Sequence, residues 1–376
     1  MSTSSTSRAQ VLFGPKNLRL IDRPIDLPGP GEVQVQIKST PLCGSDLHYF
    51  SHYANGDIII REPLTQGHET AGIIVALGTE VDHLKVGGRV ALEVGVPCEK
   101  CFHCQDGRYN VCPDLRFRSS AASYPHFQGT LQEKVNHPAR WCHRIPDSMS
   151  FDDGALLEPL SVAIHAFRKA DIRSGSPVLI IGAGVVGLLC AAVARHRGCR
   201  RIVAADIAPG RLEFAQTNGF VDAQYTIVPK RGKDLKEDLA ISKETAANLI
   251  ALSEGSGYDA VFECTGVEAS VRTSIYACRP SGDVLLVGMG TPIQTLPVSA
   301  AAFCEVNLKG IWRYADTYPT ALKIMESIEQ QYLKADARKL ITHKFKGLES
   351  VPDAFALAAR TQDEEGNLVI KVVVQN

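Results

Sequence analysis

The chain has 376 residues, of which 45% are hydrophobic and 22% are charged, and its formal net charge at pH 7 is -1. This length exceeds what one hydrophobic core usually fills, so we predict two domains. The balanced charge argues against a basic face for nucleic acid or for an anionic membrane, and we expect neither as a partner. Eleven cysteines without an apolar leader segment indicate a reducing compartment, and we expect a cytoplasmic protein.

Short β-type runs separated by Pro-Gly and Gly-Gly turns dominate the first part of the chain. Three of these runs cover residues 33–37, 72–76 and 89–92. Such runs with frequent turns are typical of antiparallel sheets, so we predict a partly barrel-like β domain. A helical pattern begins at Asp152-Asp153 and marks the end of this region.

Four cysteines lie close together at the spacing C-x2-C-x2-C-x7-C. They are Cys98, Cys101, Cys104 and Cys112. Four thiolates at about 2.3 Å satisfy a tetrahedral zinc ion and leave no position open for a substrate. The alternative is a set of buried or disulfide-bonded cysteines, but the regular spacing and polar surroundings favour zinc. We therefore predict a structural zinc lobe over about residues 95–115.

Strands alternate with helices from Ser176 onward. Uninterrupted apolar or nearly apolar runs cover residues 177–181, 201–205, 260–264 and 283–287. Such runs are expected of parallel strands buried on both faces, and the alternation predicts a doubly wound α/β sheet.

A dinucleotide-binding fingerprint follows the first of these strands. Its residues are Gly182, Ala183, Gly184, Val185, Val186 and Gly187. The glycines allow a tight turn, close approach of the backbone to a pyrophosphate, and close packing of helix on strand. Asp206 ends the next strand and is placed to bind the ribose hydroxyls, which favours NAD over NADP, while Arg211 could stack on adenine. The alternative is a purely structural glycine turn.

The last part of the chain leaves this alternation after about Glu305. Residues 307–312, a helix over 319–332 and a strand over 368–374 indicate a return to the first domain. We therefore predict a catalytic domain formed by residues 1–163 and 306–376, and a nucleotide-binding domain over residues 164–305.

Candidate catalytic residues are scattered outside the four-cysteine run. Cys43 and the pair His68-Glu69 supply possible metal ligands, and Glu158 is an acid inside an apolar helical pattern. Ser45 could pass the proton of a substrate alcohol to His48 through the cofactor ribose and on to solvent. Each residue alone is weak support, since a lone cysteine or histidine is more often structural.

Together these motifs resemble the zinc-dependent medium-chain dehydrogenases, and within them the polyol branch typified by sorbitol (L-iditol 2-) dehydrogenase. The resemblance covers essentially the whole chain, and simple alcohol dehydrogenases usually have a cysteine at the position of Glu158. The matching motifs are Cys-Gly-Ser-Asp from Cys43, Gly-His-Glu from Gly67, the four-cysteine lobe, Leu-Glu-Pro-Leu-Ser-Val from Leu157, Gly-Ala-Gly-Val-Val-Gly from Gly182, Glu-Cys-Thr-Gly from Glu263, and Arg313-Tyr314.

The resemblance implies a GroES-like catalytic domain beside a Rossmann domain, and two zinc ions per chain. It implies a catalytic zinc bound by Cys43, His68 and Glu69, with Glu158 bound directly or through water. It further implies a homotetramer that transfers hydride from a secondary hydroxyl of a sugar alcohol to NAD, giving a ketose. The positions that match the polyol pocket of the family are Ser45, Tyr49, Phe117, Glu158, Arg313 and Tyr314.

Two segments depart from the expected family pattern. Residues 119–128 lack the usual Pro- and Asp-rich sequence, and residues 52–57 look like an insertion. The preferred polyol therefore stays open, with xylitol and L-arabinitol dehydrogenases as alternatives to a sorbitol enzyme. A catalytically silent nucleotide-binding relative is the alternative from another class, and the presence of Cys43, His68 and Glu69 argues against it.

Overall fold

The structure is a computed structural model that describes residues 5–329 and 335–376. The chain forms two compact units, which we call unit 1 and unit 2. Unit 1 comprises Met1–Glu158 and Arg338–Asn376, and unit 2 comprises Pro159–Ala337. In the described ranges, no helix has both the length and the apolar character needed to cross a membrane.

The strands and helices are numbered in chain order. The strands are β1 Ser5–Leu12, β2 Leu18–Ile25, β3 Glu32–Pro41, β4 Ala54–Asn55, β5 Ile58–Ile59, β6 Leu64–Thr65, β7 Ala71–Leu77, β8 Arg89–Leu92, β9 Gly95–Val96, β10 Arg116–Phe117, β11 Lys134–Pro138, β12 Cys142–Arg144, β13 Pro177–Ile181, β14 Arg201–Asp206, β15 Ala223–Thr226, β16 Tyr258–Glu263, β17 Cys278–Leu286, β18 Asn307–Gly310, β19 Ile341–Lys346 and β20 Lys371–Gln375. The helices are α1 Gly44–His52, α2 Phe102–Gln105, α3 Phe151–Ala155, α4 Leu157–Lys169, α5 Val185–His196, α6 Pro209–Thr217, α7 Leu235–Ala251, α8 Glu268–Ala277, α9 Val298–Phe303, α10 Tyr318–Glu329 and α11 Val351–Ala358.

Unit 1 is built on a seven-stranded sheet in the order β12-β8-β7-β3-β20-β19, with β11 also paired to β3. All of these pairs are antiparallel except β19 with β20. A second sheet has the order β2-β1-β6. The core under the C-terminal strand contains buried apolar side chains from distant parts of the chain, such as Leu42, Leu131 and Phe355. The predicted GroES-like β domain is confirmed.

Unit 2 contains a six-stranded sheet in which every neighbouring pair is parallel. The strand order is β15-β14-β13-β16-β17-β18. Counted within this unit, the order is 3-2-1-4-5-6, which is the order of a doubly wound dinucleotide-binding fold. Its order reverses between β13 and β16, and the carboxyl ends of these strands are where such sheets bind ligands. The predicted Rossmann sheet is confirmed.

The units divide at other positions than the predicted boundaries at 163/164 and 305/306. Residues 306–337 belong to unit 2, because β18 adds to the edge of the parallel sheet with Asp283 opposite Asn307 and Leu286 opposite Gly310. The chain returns to the sheet of unit 1 only with β19 and β20. Helix α10 starts one residue before the predicted Pro319, and the predicted end at Tyr332 lies outside the described residues.

Candidate active site and metal-binding groups

A thiol, an imidazole and a carboxylate from separate segments of unit 1 meet in one cluster. Cys43 is the N-cap residue of α1, and His68 and Glu69 lie between β6 and β7. One ligand atom from each of the three residues lies within 4.8 Å of the other two. We call these three residues the catalytic cluster. Sulfur, nitrogen and oxygen ligands in this number are typical of a catalytic zinc site, which keeps a position open for substrate.

The carboxylate of Glu69 fits a bound metal on an observation independent of its motif. Glu69 is fully buried, and its Oε1 accepts a hydrogen bond of 2.6 Å from the Lys371 ammonium. Its other oxygen, Oε2, is buried and has no hydrogen-bond partner among the described residues. A buried carboxylate oxygen without a partner is costly, so a cation bound there would satisfy it.

Asp46 holds the two halves of the catalytic cluster together. Its carboxylate is buried at 0% exposure. Oδ2 accepts a hydrogen bond from the Cys43 N–H at 3.0 Å, and Oδ1 accepts one from the Gly67 N–H at 3.0 Å. Oδ1 also lies 3.3 Å from His68 Nδ1. One side chain therefore fixes the backbone beside both ligand segments and orients the imidazole.

His68 and Asp46 form a buried ion pair in the metal-free protein. Burial alone would lower the pKa of His68, but the charges of Asp46 and Cys43 raise it well above 6.5. Burial would raise the pKa of Asp46, but His68 and the backbone N–H groups lower it. Because Nδ1 of His68 faces Asp46 Oδ1 and Ser119 Oγ, Nε2 is the ring nitrogen available to bind a metal.

Ser119 is a second partner of the His68 imidazole. Its Oγ lies 2.9 Å from His68 Nδ1 and 3.5 Å from Asp46 Oδ1. The residue is buried, and its backbone φ of 61° lies in the left-handed region. Sequence reasoning gave no role to Ser119, and a serine in an atypical loop carries no local signal that could have revealed one.

Sequence reasoning also missed Asp46 and Lys371. Asp46 stands three residues after Cys43, at the N3 position of α1, where an acid commonly accepts from the N-cap backbone. Lys371 is the one charged residue in the apolar run 368–374. A lysine in a buried strand requires a partner, so this position could have been identified from the pattern. Its partner could not, because Glu69 is 302 residues away.

The other residues predicted in the catalytic part of the site lie in unit 1. Ser45 Oγ is 3.5 Å from His68 Nε2, and His48 is exposed on the same helix. The Phe117 ring is buried with its centroid 5.6 Å from that of His68. Glu158 is 5% exposed. Burial alone would lower the pKa of Lys371, but Glu69, Cys43 and, more weakly, the nearby charge of Glu158 raise it.

The side chain of Tyr49 is fixed both by packing and by a hydrogen bond. Its side chain is 3% exposed and packs with Leu64 and Ala121. Its hydroxyl accepts a hydrogen bond of 3.2 Å from the Ala121 N–H. An oxygen that already accepts this bond is oriented to act as a donor toward any further partner.

Arg313 and Tyr314, the remaining predicted polyol-binding residues, lie in unit 2. The Arg313 guanidinium stacks 4.8 Å from the centre of the Trp312 ring, and its φ is 51°. Tyr314 is 3% exposed, and its ring centroid lies 5.8 Å from that of Tyr318.

The four predicted lobe cysteines are brought together in unit 1. Their sulfurs lie within 4.8 Å of one another, and Cys98, Cys101, Cys104 and Cys112 are free thiols. The antiparallel pair β9–β10 closes the lobe at its base. Four sulfurs at these distances can surround one zinc ion and leave no coordination position for a substrate.

The thiols of the lobe differ in acidity in the metal-free protein. Backbone N–H groups of Lys100 and Cys101 lower the pKa of Cys98 to about 7. Burial, together with hydrogen bonds to the neighbouring thiols, raises the pKa of Cys104 to about 12. Zinc binds thiolates, so the lobe must give up protons when it takes the metal.

The dinucleotide fingerprint has the predicted geometry in unit 2. Gly182 follows β13 with φ of 99°, and Gly184 is the N-cap residue of α5. A Cβ on Gly187 would lie 1.8 Å from the Gly182 oxygen, so helix and strand pack too closely for any other residue. Around Gly184, in contrast, a Cβ would meet nothing within 4 Å, and this open space at a helix N-terminus fits a bound pyrophosphate. Val185 and Val186 form the first positions of α5.

Asp206 ends β14 as predicted and is tied to this turn. Its Oδ2 accepts a hydrogen bond of 2.6 Å from the Ala183 N–H, and its Oδ1 accepts one of 2.8 Å from the Ala208 N–H. Each oxygen retains a lone pair for a ribose hydroxyl. Arg211 lies on α6, and its Nε has no hydrogen-bond partner in the described part of the chain.

Two family models match the chain. The alcohol dehydrogenase GroES-like domain matches residues 29–147, and the zinc-binding dehydrogenase domain matches residues 185–327. The first match contains all seven residues of the two candidate metal-binding groups, and the second contains most of the parallel sheet.

Relatives of known name match over nearly the whole chain. Sorbitol dehydrogenase of Gallus gallus is 38% identical over 96% of this chain and 95% of its own. The "Probable D-xylulose reductase A" of Emericella nidulans is 40% identical over 86% of this chain and 88% of its own. Among solved structures, galactitol-1-phosphate dehydrogenase from Escherichia coli has a TM-score of 0.82 at 26% identity, covering 98% of this chain and 100% of that one. With these matches and the confirmed fold, the chain belongs to the zinc-dependent medium-chain dehydrogenases, in the branch that contains the sorbitol dehydrogenases.

Proposed function

We propose that this protein oxidises a secondary hydroxyl of a sugar alcohol to a ketose with NAD, and catalyses the reverse reduction. The observation that carries the proposal is the catalytic cluster, in which Cys43, His68 and Glu69 converge and Glu69 Oε2 has no hydrogen-bond partner within residues 5–329 and 335–376. The sorbitol dehydrogenases and xylulose reductase among the relatives support a polyol as the substrate class.

We propose two zinc ions per chain, one in the catalytic cluster and one in the four-cysteine lobe. In the catalytic cluster, zinc would supply Lewis acidity, which lowers the pKa of a hydroxyl group and makes hydride transfer to the nicotinamide ring possible. The protein residues then have to hold the alcohol, remove its proton and keep the ligands oriented.

Ser45 and His48 are the proposed route for the proton. Ser45 lies within 3.5 Å of His68 Nε2, at the edge of the catalytic cluster. His48 is exposed three residues later on α1, so the two side chains share one face of the helix. The exposed imidazole can release the proton to solvent.

Glu158 is proposed to act through a water molecule. Glu158 lies close enough to Lys371 to affect its pKa. Among the described residues, however, the group whose ligand atoms all lie within 4.8 Å of one another contains Cys43, His68 and Glu69 but not Glu158. A carboxylate just beyond direct coordination can orient a bound water or a substrate hydroxyl.

The hydroxyl-rich substrate is proposed to be selected by hydrogen bonding. Tyr49 offers an oriented O–H donor, and Phe117 a buried apolar surface next to His68. Arg313 and Tyr314 are further proposed polyol-binding residues. A plain alcohol would leave the polar groups of such a site without hydrogen-bond partners. Its kcat/KM should therefore be much lower than that of a sugar alcohol.

The proposal is tested by initial rates with sorbitol, xylitol, L-arabinitol and ethanol, each with NAD and with NADP. We expect turnover of the sugar alcohols with NAD and much weaker turnover of ethanol. Equal or faster oxidation of ethanol would contradict the polyol assignment. Xylitol is the second candidate, favoured by the relative named D-xylulose reductase, and the ranking of the sugar alcohols decides between them.

The cofactor preference is tested with Asp206→Ser. Removing the carboxylate removes the ribose acceptor and the charge that repels a 2'-phosphate, so the NAD to NADP ratio of kcat/KM should fall by about 10-fold or more. The matched control is Asp222→Ser, an acid of the same sheet region that binds Arg195 instead. An unchanged ratio in Asp206→Ser would contradict the proposed binding of the cofactor ribose by Asp206.

A homotetramer in the cytoplasm is also part of the proposal. The edge strand β18 and several exposed apolar side chains of unit 2, among them Ile293 at 86% and Phe303 at 89% exposure, support association between copies. Eleven free cysteines support a reducing compartment. Analytical ultracentrifugation of the zinc-loaded protein tests the assembly.

A further inference from the structure

We propose that Ser119 is a positioning residue for the catalytic zinc: its hydroxyl accepts the Nδ1–H of His68, passes a hydrogen bond to Asp46, and so fixes the imidazole with Nε2 toward the metal. This inference rests on the proposed function, because it requires zinc in the catalytic cluster. It assigns a role to the loop over residues 119–128, where the sequence departs from the family pattern.

The geometry favours Ser119 over Asp46 as the direct partner of the imidazole. Ser119 Oγ lies 2.9 Å from His68 Nδ1, whereas Asp46 Oδ1 lies 3.3 Å from it. The Ser119 hydroxyl can in turn donate to Asp46 Oδ1, 3.5 Å away. A carboxylate cannot donate, so the direction of this chain is fixed and the proton of the imidazole must be on Nδ1.

The backbone of Ser119 has a strained conformation of the kind that is often found at functional sites. Its φ of 61° is uncommon for a residue with a side chain. A glycine would adopt this conformation freely, but it would lack the hydroxyl that reaches His68. Strain that persists at a position contacting a proposed metal ligand points to a functional constraint.

The surrounding loop keeps Ser119 in this conformation. Its N–H donates to the Phe127 oxygen at 2.8 Å. The preceding residue, Arg118, is buried and donates to the Gln128 oxygen at 2.8 Å and to the Asn136 oxygen. Its guanidinium also stacks 4.1 Å from the centre of the Phe127 ring. The start and end of the loop are therefore fastened to each other.

The chain that follows the loop returns to the segment that contains His68. The Thr130 N–H donates to the Gly67 oxygen at 2.9 Å, one residue before His68. His126 reaches across to the chain before β6, where its Nε2 accepts from the Arg61 N–H at 2.9 Å. The loop thus contacts His68 through the Ser119 side chain, and the backbone just after the loop contacts Gly67, so this segment is part of the support of the proposed metal site.

The experiment compares Ser119→Ala, Ser119→Gly and the matched control Ser120→Ala. Ser120 is a buried neighbour whose Oγ accepts from the Ala122 N–H at 3.3 Å. Zinc release to a chelator is followed for each protein, with cobalt substitution to record the absorption bands of the metal bound to Cys43. The zinc of the four-cysteine lobe serves as an internal reference in every sample.

We expect both Ser119 variants to bind metal in the catalytic cluster about 10–100-fold more weakly, as is typical when a partner of a ligating histidine is lost. Their cobalt bands should shift, and Ser120→Ala should match the wild type. Ser119→Gly should melt no lower than Ser119→Ala, because glycine relieves the strained φ. Weak metal binding in a Ser119→Gly protein of high stability separates positioning from a merely structural role.

Two results would overturn the inference, and they are distinguishable. Wild-type affinity and wild-type cobalt bands in both Ser119 variants would remove Ser119 from the metal site while leaving the proposed function intact. A wild-type protein that binds zinc only in the four-cysteine lobe would overturn the proposed function and this inference together.

Discussion

The two candidate metal-binding groups of unit 1 differ in how the chain brings their residues together. The four-cysteine lobe takes all its sulfurs from residues 98–112, and three of the four cysteines are only half-buried. The catalytic cluster takes a thiol from the N-cap of α1 and two ligands from a segment before β7, and His68 and Glu69 are buried. The lobe is specified by local spacing, whereas the cluster exists only when the whole unit is folded.

The two groups differ even more in what surrounds their ligands. In the lobe, the closest partners of the sulfurs are other sulfurs and backbone N–H groups, such as the Cys98 N–H at 3.4 Å from Cys112 Sγ. In the catalytic cluster, each ligand is held by a charged or polar residue: Cys43 by Asp46, His68 by Asp46 and Ser119, Glu69 by Lys371. A closed metal site needs only ligands, and an open one needs its ligands oriented and their charge balanced.

The largest effect is expected for Cys43→Ala. Removing one of the three proposed ligands should abolish zinc binding in the catalytic cluster. The value of kcat/KM should then fall by at least about 1000-fold, which corresponds to an activation free energy higher by about 4 kcal/mol. Metal analysis should give one zinc per chain instead of two, with an unchanged circular dichroism spectrum. Cys304→Ala, which removes an exposed thiol elsewhere, is the control and should retain both ions. A Cys43→Ala protein that fails to fold would show that Cys43 is structural.

Lys371→Met tests the charge balance of the catalytic cluster. It leaves the Glu69 carboxylate buried without its partner, so the free energy of unfolding of the metal-free protein should fall by about 3–5 kcal/mol. The loss should be smaller in the zinc-loaded protein, because the metal also neutralises Glu69. Chemical denaturation with and without chelator measures both values.

The control for this change is Lys344→Met. Lys344 lies in the neighbouring strand β19 and bonds Asp152 of α3 at 2.7 Å, and about half of the Lys344 side chain is exposed. Asp152 is buried but keeps its hydrogen bonds from Ser39 and Gln375, and the Lys344 ammonium is reached by solvent, so losing this pair should cost about 1 kcal/mol or less. Equal losses in the two variants would contradict a special role for Lys371.

Cys98→Ser should separate stability from chemistry. The lobe would lose one thiolate, and the stability that zinc contributes should fall by about 3 kcal/mol, roughly a quarter of that of a four-ligand structural site. Thermal melting or assembly should change before kcat does. A folded, assembled Cys98→Ser enzyme that binds polyol but does not turn over would overturn the division between structural and catalytic metal.

The smallest effect is a difference in pH dependence. Below the pKa of a thiol, zinc must displace its proton, so affinity increases as the pH rises. With Cys104 at a pKa of about 12 and the pKa of Cys112 also raised, chiefly by burial, the affinity of the lobe should still increase above pH 7. The catalytic cluster has one thiol and the His68 imidazole, whose pKa is raised well above 6.5, against four thiols in the lobe, so its affinity should rise less steeply there. Zinc titrations at several pH values measure the two slopes, and parallel slopes would contradict the assignment.

The parts of the molecule that sequence reasoning found are those encoded by local pattern. The strand, glycine turn and helix around Gly182 lie within one continuous segment, as do the four lobe cysteines. The residues of the catalytic cluster were identified by the resemblance to a known family, because their spacing in the sequence does not point to a shared site. Asp46 and Lys371 left weaker signals, an acid at a helix start and a charge in an apolar strand.

The features that sequence reasoning missed depend on tertiary pairing. The strand Asn307–Gly310 was expected in the first domain, but hydrogen bonding to β17 places it in the sheet of unit 2. Ser119 acquires its role only because Arg118 and Phe127 hold the loop against His68. Neither relation is visible in residues close together in the sequence.

The bond between Glu69 and Lys371 also sets an order of events during synthesis. The two residues are 302 positions apart, and a ribosome makes the chain from its N-terminus. All four lobe thiols can leave the exit tunnel together while Lys371 has not yet been translated. The lobe can therefore take its metal on the nascent chain, whereas Glu69 acquires its counter-charge only after 302 further residues have been made.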